Sequence, residues 1–227
     1  MKDLIIIGAG ALGQEVVWLT EEINDKNPSW NILGFLDDFG FESGKSFMGY
    51  KCIGAVHDAE KFKHASFVIA YGDPRLREKI YESIQGDELE WATLISPTVR
   101  VHPSNKIGKG VVIGRYTDLT VNCEIDDLAY LNIHVVLGHE VHVGKFSIIS
   151  PNVTVNGGAK IGKACQIGAN AFVKDVKIGD YSTVGASSCV VKPIDEYCVV
   201  AGVPAKLLHQ GTPSTSISRS EREENKK

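Results

Sequence analysis

Along the second part of the chain the apolar positions keep a strict beat. Stepping by six from Ile95 lands on Val101, Ile107, Ile113, Leu119, Ile125, Leu131, Leu137, Val143, Ile149, Val155, Ile161, Ile167 and Val173, all Val, Ile or Leu. After one missing residue the beat resumes at Ile178, Val184 and Val190. A period of six is neither the 3.6 of a helix nor the 2 of a strand. It fits a short strand and a tight turn, with three such units closing one triangular coil and the aliphatic side chains stacked inward as columns. Five to six coils of a hexapeptide parallel β-helix are predicted. The residue after the aliphatic one is often glycine, as at Gly108, Gly114, Gly138, Gly144, Gly162 and Gly168, which is expected to serve unusual turn angles. Four residues after the aliphatic one comes a small or β-branched residue. Cys123 and Cys165 fall in that slot and read as core.

The first ninety or so residues follow no such beat. Leu4 to Ile7 is a continuous apolar run, the mark of a buried parallel strand. A glycine turn, Gly8-Ala9-Gly10-Ala11-Leu12-Gly13, leads into a predicted helix over 14–23. Further strands are predicted over 32–36, ending at Asp37-Asp38, and over 67–70, with a helix over 75–84. This is the start of a Rossmann-like βαβ fold. The expected division is an α/β domain over 1–92, a β-helix over 93–209 and a solvated, disordered tail over 210–227. In the context strand, turn, helix, the spacing Gly8-x-Gly10-x-x-Gly13 brings backbone N–H groups and a helix N-terminus to a phosphate. A dinucleotide needs two βαβαβ halves, and only one fits before the coils. The reading is therefore a nucleotide diphosphate, with Asp37 and Asp38 beside the nucleoside. The competing reading is that the glycines only permit close packing.

Composition narrows the function classes. The 227 residues carry 24 basic and 28 acidic side chains, a net charge of −4, so nucleic acid is a poor partner. No apolar run reaches the roughly 18–20 residues of a membrane span, and the apolar start is too short for a secretory signal. The five cysteines form no CxxC pair, which argues against a disulfide framework or zinc knuckle and for reduced thiols in a cytoplasmic protein.

Three of the seven histidines cluster: His134, His139 and His142. In one reading His139 is a general base, with Glu140 beside it to favour the imidazolium and Asn132 seven residues before. One coil on from His139 lie Gly157 and Gly158, which would leave N–H groups and space for a ligand. A second reading makes the three histidines zinc ligands, as in γ-class carbonic anhydrases, and hence the chain a hydro-lyase. In a third they are outward polar residues. His142 has no adjacent carboxylate and makes the weaker base.

The segments Ile6-Ile7-Gly8-Ala9-Gly10-Ala11-Leu12-Gly13, Leu36-Asp37-Asp38, Gly138-His139-Glu140-Val141-His142-Val143-Gly144 and Val200-Ala201-Gly202-Val203-Pro204-Ala205-Lys206 occur in that order. Together they resemble the bacterial sugar acetyltransferases grouped around the sialic acid O-acetyltransferases and the N-acetyltransferases of nucleotide-linked 4-amino sugars. The resemblance implies a left-handed parallel β-helix, a homotrimer, acetyl-CoA in the groove between two subunits, no metal, and a UDP-, dTDP- or GDP-linked sugar on the N-terminal domain. By position it implies His139 as base, Glu140 as its partner and Asn132 as a supporting group. Gly157 and Ala186 would offer N–H groups to acetyl-CoA, and Gly8, Gly10, Gly13, Asp37 and Asp38 would contact the nucleotide. An O-acetyltransferase would use the same base. The relatives' second histidine, nine residues after the base, is here Ile148.

Overall fold

The computed structural model describes residues 1–212; most of the expected tail, 213–227, lies outside the described residues. The N-terminal domain runs β1 (Lys2–Ile7), α1 (Ala11–Lys26), β2 (Trp30–Leu36), α2 (Asp38–Glu42), β3 (Ser46–Phe47), β4 (Tyr50–Gly54), β5 (Ser66–Ile69), α3 (Pro74–Ser83) and β6 (Glu90–Trp91). Its sheet has the order β3-β4-β2-β1-β5-β6, parallel except for the β3–β4 hairpin. The unbroken apolar run of β1 makes it the central strand, and Leu4, Ile5, Ile6 and Ile7 have no exposed surface. Strand order reverses between β2 and β5 on either side of β1, the kind of crevice in which α/β sheets bind ligands. Helix α1 starts at Ala11, three residues before the expected position, because Gly10 caps it. The β3–β4 hairpin and β6 extend the sheet beyond the strands that the pattern predicts.

Ala92 still donates to Phe67 of the sheet, and Leu94 already donates to Val111 of the coil. From there two-residue strands wind into a parallel β-helix with three faces. On the covered face Leu94, Val112, Tyr130, Ile148, Gln166 and Thr183 stack in register, on the open face Asp118, Val136, Thr154, Phe172 and Cys189, and on the charged face Lys106, Glu124, His142, Lys160 and Lys177. Partners lie eighteen residues apart until the missing residue shortens the step, pairing Lys160 with Lys177. The beat residues and the small slots form one buried column from Val111 to Val200.

Two expectations fail here. Val101 keeps the beat but forms no strand and is 38 % exposed. It sits between Pro97 and Pro103, which lack N–H groups for a ladder, and Val99 packs on the column instead. The glycines that follow the beat residues do not supply turn angles either. The left-handed residue of each corner comes two places later and is usually not glycine: Asn122, Leu128, His134, Glu140 and Phe146 have φ between 56° and 64°. The earlier glycines are needed for coil-to-coil approach. A Cβ at Gly168 would stand 2.5 Å from the backbone nitrogen of Ala186 in the next coil. At the far end Cys198–Ala201 and Lys206–Gln210 form an antiparallel hairpin, so Gln210 belongs to folded structure rather than to a tail.

The two domains share cores. Outward residues of the covered face, Leu94, Val112, Tyr130 and Ile148, are buried in one cluster with Val16, Val17 and Leu19 of α1. At the corner between charged and covered faces, Leu128, Phe146 and Ala164 join Tyr81 and Trp91 in another. Arg77 of α3 lies wholly buried at this seam and donates to the carbonyls of Ile69 and Leu128, one from each domain. Burial draws its pKa down to about 10.

Candidate active site

His139 stands two residues past Leu137, at the corner between open and charged faces. Glu140 takes the left-handed corner position (φ 59°), which turns its side chain back beside the ring. His139 Nδ1 and Glu140 Oε2 are 3.3 Å apart, and both side chains are about two-thirds exposed, at 67 % and 65 %. The ring lies over Gly157: a Cβ there would be 2.5 Å from His139 Nε2. Gly158 donates its N–H to the His139 carbonyl at 2.8 Å, whereas the Gly157 N–H has no partner among the described residues. The corner thus presents an imidazole and a free backbone donor side by side. Such a pair can accept a proton and stabilise an oxyanion.

The other two histidines are used differently. His134 packs at a tilt against Tyr116, with centroids 5.1 Å apart. His142, on the charged face, meets Asp126 Oδ2 at 3.0 Å, a shorter and less exposed pair than that of His139. His142 has no carboxylate adjacent in sequence, but the coil below supplies one. Sequence adjacency hides Asp126, and the eighteen-residue register between Ile125 and Val143 reveals it. Among the described residues no group of three or more His, Cys, Asp or Glu is placed to hold a metal ion.

Asn132 and Ala186 do not join His139 within the chain. Both lie on the corner between covered and open faces, one strand away from the His139 corner. Asn132 Oδ1 accepts the N–H of Ile133 at 2.7 Å. Ile148, where the relatives carry a histidine, is 4 % exposed and packs in the seam between the domains.

At the glycine turn the three glycines have three separate reasons. Gly8 is left-handed (φ 104°) and lies against the Tyr71 ring; Gly13 approaches the Gly8 carbonyl, where a Cβ would be 2.0 Å away; Gly10 faces open space. No side chain caps α1, so its first N–H groups face that space. Asp37 accepts from the Ala9 N–H at 3.0 Å and from Gly40 at 2.7 Å, and Asp38 accepts from Val56 at 2.9 Å. Both carboxylates thus brace the loops round the turn. Sequence reasoning passed over Tyr71, which closes the crevice; burial and the nearby Asp37 and Asp38 charges push its hydroxyl up to about 12.

The PglD N-terminal domain family matches residues 3–84, and the bacterial transferase hexapeptide family (six repeats) matches residues 158–192. The GDP-perosamine N-acetyltransferase of Escherichia coli O157:H7 is 25 % identical over 217 residues, covering 95 % of this chain and 96 % of its own length. A histidine variant of perosamine N-acetyltransferase from Caulobacter crescentus, solved with CoA and GDP-perosamine, shares the fold with a TM-score of 0.74 at 23 % identity, over 92 % of this chain and 98 % of that one. The acetyltransferase domain of PglB from Neisseria gonorrhoeae FA1090 is 25 % identical with a TM-score of 0.58, over 92 % of this chain and 100 % of that one. Among the described residues no helix is long and apolar enough to cross a membrane. The two matched domains, in this order and with the coil built as described, make the chain similar along nearly its whole length to bacterial sugar acetyltransferases.

Proposed function

We propose that the chain is an acetyl-CoA-dependent N-acetyltransferase acting on a nucleotide-linked 4-amino sugar, working in the cytoplasm as a homotrimer. The observation that carries the reading is the His139 ring lying over the free Gly157 N–H. As the sugar amine attacks the thioester carbonyl, the N–C bond forms and His139 takes the amine proton. The Gly157 N–H meets the developing oxyanion. The C–S bond then breaks, and the CoA sulfur leaves with the proton from the imidazolium. A thioester is already activated, so positioning supplies much of the rate and the base a further ~10²–10⁴-fold. Gly8, Gly10 and Gly13 shape the turn that receives the diphosphate. Asp37 and Asp38 hold the loops that flank the nucleoside.

Chain geometry supports the trimer. His139 occupies the vertex opposite the covered face, and the covered face carries the N-terminal domain. A nucleotide sugar on that domain is thereby turned away from its own chain's His139. Asn132 and Ala186 line the corner at the other edge of the open face, so packing this corner of one copy against the His139 corner of the next assembles all the candidates. Val121, Ile133 and Val136, exposed at 41 %, 37 % and 39 %, flank that contact. Acetyl-CoA would lie in the groove so formed. The five free cysteines accord with a reducing compartment.

The test is thiol release from acetyl-CoA with a panel of GDP-, UDP- and dTDP-linked 4-amino sugars. His139→Ala is expected to lose about 10²–10⁴-fold in kcat with the trimer intact. Full activity in that variant would remove the assignment. Turnover with a sialic acid acceptor alone would move the reading to O-acetyl transfer.

A further inference from the structure

Arg77 is a cation buried at the domain seam with no counter-charge beside it. Its Nη1 donates to the carbonyl of Ile69 at 2.5 Å and, at a longer 3.4 Å, to that of Tyr71; its Nη2 donates to Leu128 at 2.6 Å. Its Nε has no hydrogen-bond partner. The Tyr130 ring lies 5.8 Å away, and no carboxylate among the described residues pairs with the guanidinium. Burying a lone charge is costly, and apolar side chains of similar volume often hold a seam as well or better. Joining the two domains is therefore not reason enough for a guanidinium here. What it adds is a rigid planar fork that fixes several oxygens at once.

Two of those oxygens belong to the wall of the glycine-turn crevice. Helical side chains lean toward the N-terminal end of their helix, which carries Arg77 of α3 under residues 69–71. Ala70, between the two held carbonyls, donates to the Ile7 carbonyl at 2.8 Å and so laces this strand end to the residue before Gly8. The Tyr71 ring lies against Gly8 itself. Its hydroxyl faces the Asp37 carboxylate, which accepts the Ala9 N–H at 3.0 Å. A continuous chain of contacts thus leads from the coil at Leu128, through Arg77 and Tyr71, to Gly8 and Ala9 of the turn.

We propose that Arg77 is a positioning residue for the nucleotide sugar: it holds the Tyr71 wall of the crevice in fixed register with the coil. The inference rests on the transferase reading above. Arg77 touches no reacting atom and acts through Tyr71.

The experiment measures steady-state thiol release by the full chain with acetyl-CoA and GDP-, UDP- and dTDP-linked 4-amino sugars. Calorimetric binding of GDP, UDP and dTDP is the second readout. Arg77→Lys keeps the charge and loses the fork. It is expected to raise KM for the nucleotide sugar and Kd for the nucleoside diphosphate about tenfold, with kcat and KM for acetyl-CoA within about twofold. Tyr71→Phe keeps the ring on Gly8 and removes the hydroxyl beside Asp37, and should raise the same two constants about threefold. Because the two act along one path, the double variant should fall short of the roughly thirtyfold product. A lower melting temperature with KM and Kd unchanged would reduce Arg77 to seam packing and overturn the proposal, as would a double variant that reaches the full product. Should Arg77→Lys fail to fold, an unchanged Kd in Tyr71→Phe overturns it from the crevice end. An unmodified chain that binds a diphosphate but releases no thiol overturns the transferase reading alone, since the Kd comparison still decides Arg77. Neither binding nor thiol release overturns both.

Discussion

The two domains use glycine in opposite ways. In the N-terminal turn each glycine answers a separate need: a left-handed angle at Gly8, open space at Gly10, a close approach at Gly13. In the coils one need recurs, the approach of the next coil's backbone, as at Gly138, Gly144 and Gly168. In the α/β domain the motif is itself the candidate site. In the repeat, the candidate residues are the departures from it. Gly157 and Gly158 are such a departure, since Gly157 faces an imidazole where Gly138, Gly144 and Gly168 face backbone.

Gly157→Ala tests that contrast most sharply. Its Cβ meets only a movable ring, so stability should change by less than about 1 kcal/mol while the ring is displaced. A shift of that size is expected to lower kcat about a hundredfold, read by thiol release alongside thermal melting. Retained activity would mean that the ring's place over Gly157 is unimportant. Next in size is the seam. Arg77→Ala strips a donor from the Ile69 and Leu128 carbonyls and opens a cavity, and should cost about 3 kcal/mol in chemical denaturation. A loss below 1 kcal/mol would show that the domains hold together without it. Smallest is Val101→Ser. Because the beat there builds no strand, the change should cost under about 0.5 kcal/mol, against about 2 kcal/mol for Val143→Ala in the buried column.

The coil was largely legible because one residue type every six positions leaves few alternatives. Its first turn was not, because Val101 keeps the beat while two prolines deny it a ladder. The central strand was legible from Leu4–Ile7. The β3–β4 hairpin and β6 were not, being short strands toward the sheet's margins whose two to five residues carry no run or alternation. At the candidate site, His139, Glu140 and Gly157 could be brought together by counting eighteen residues. The His142–Asp126 pair crosses between coils on a diagonal, which counting by adjacency misses. Arg115 and Trp18 meet across the domain seam, and no spacing in a single chain announces such a contact.

The open face holds three more strands beyond the one that leads to His139, at Thr154, Phe172 and Cys189. Strands in a sheet lie about 4.8 Å apart, so the groove wall above the imidazole rises about 14 Å. Since glycines such as Gly138, Gly144 and Gly168 abut the next coil's backbone, the height of this wall changes only by whole turns. On the proposed placement of acetyl-CoA along this face, the stack would act as a ruler graduated in coils, and inserting one eighteen-residue turn would lengthen that ruler by a single mark.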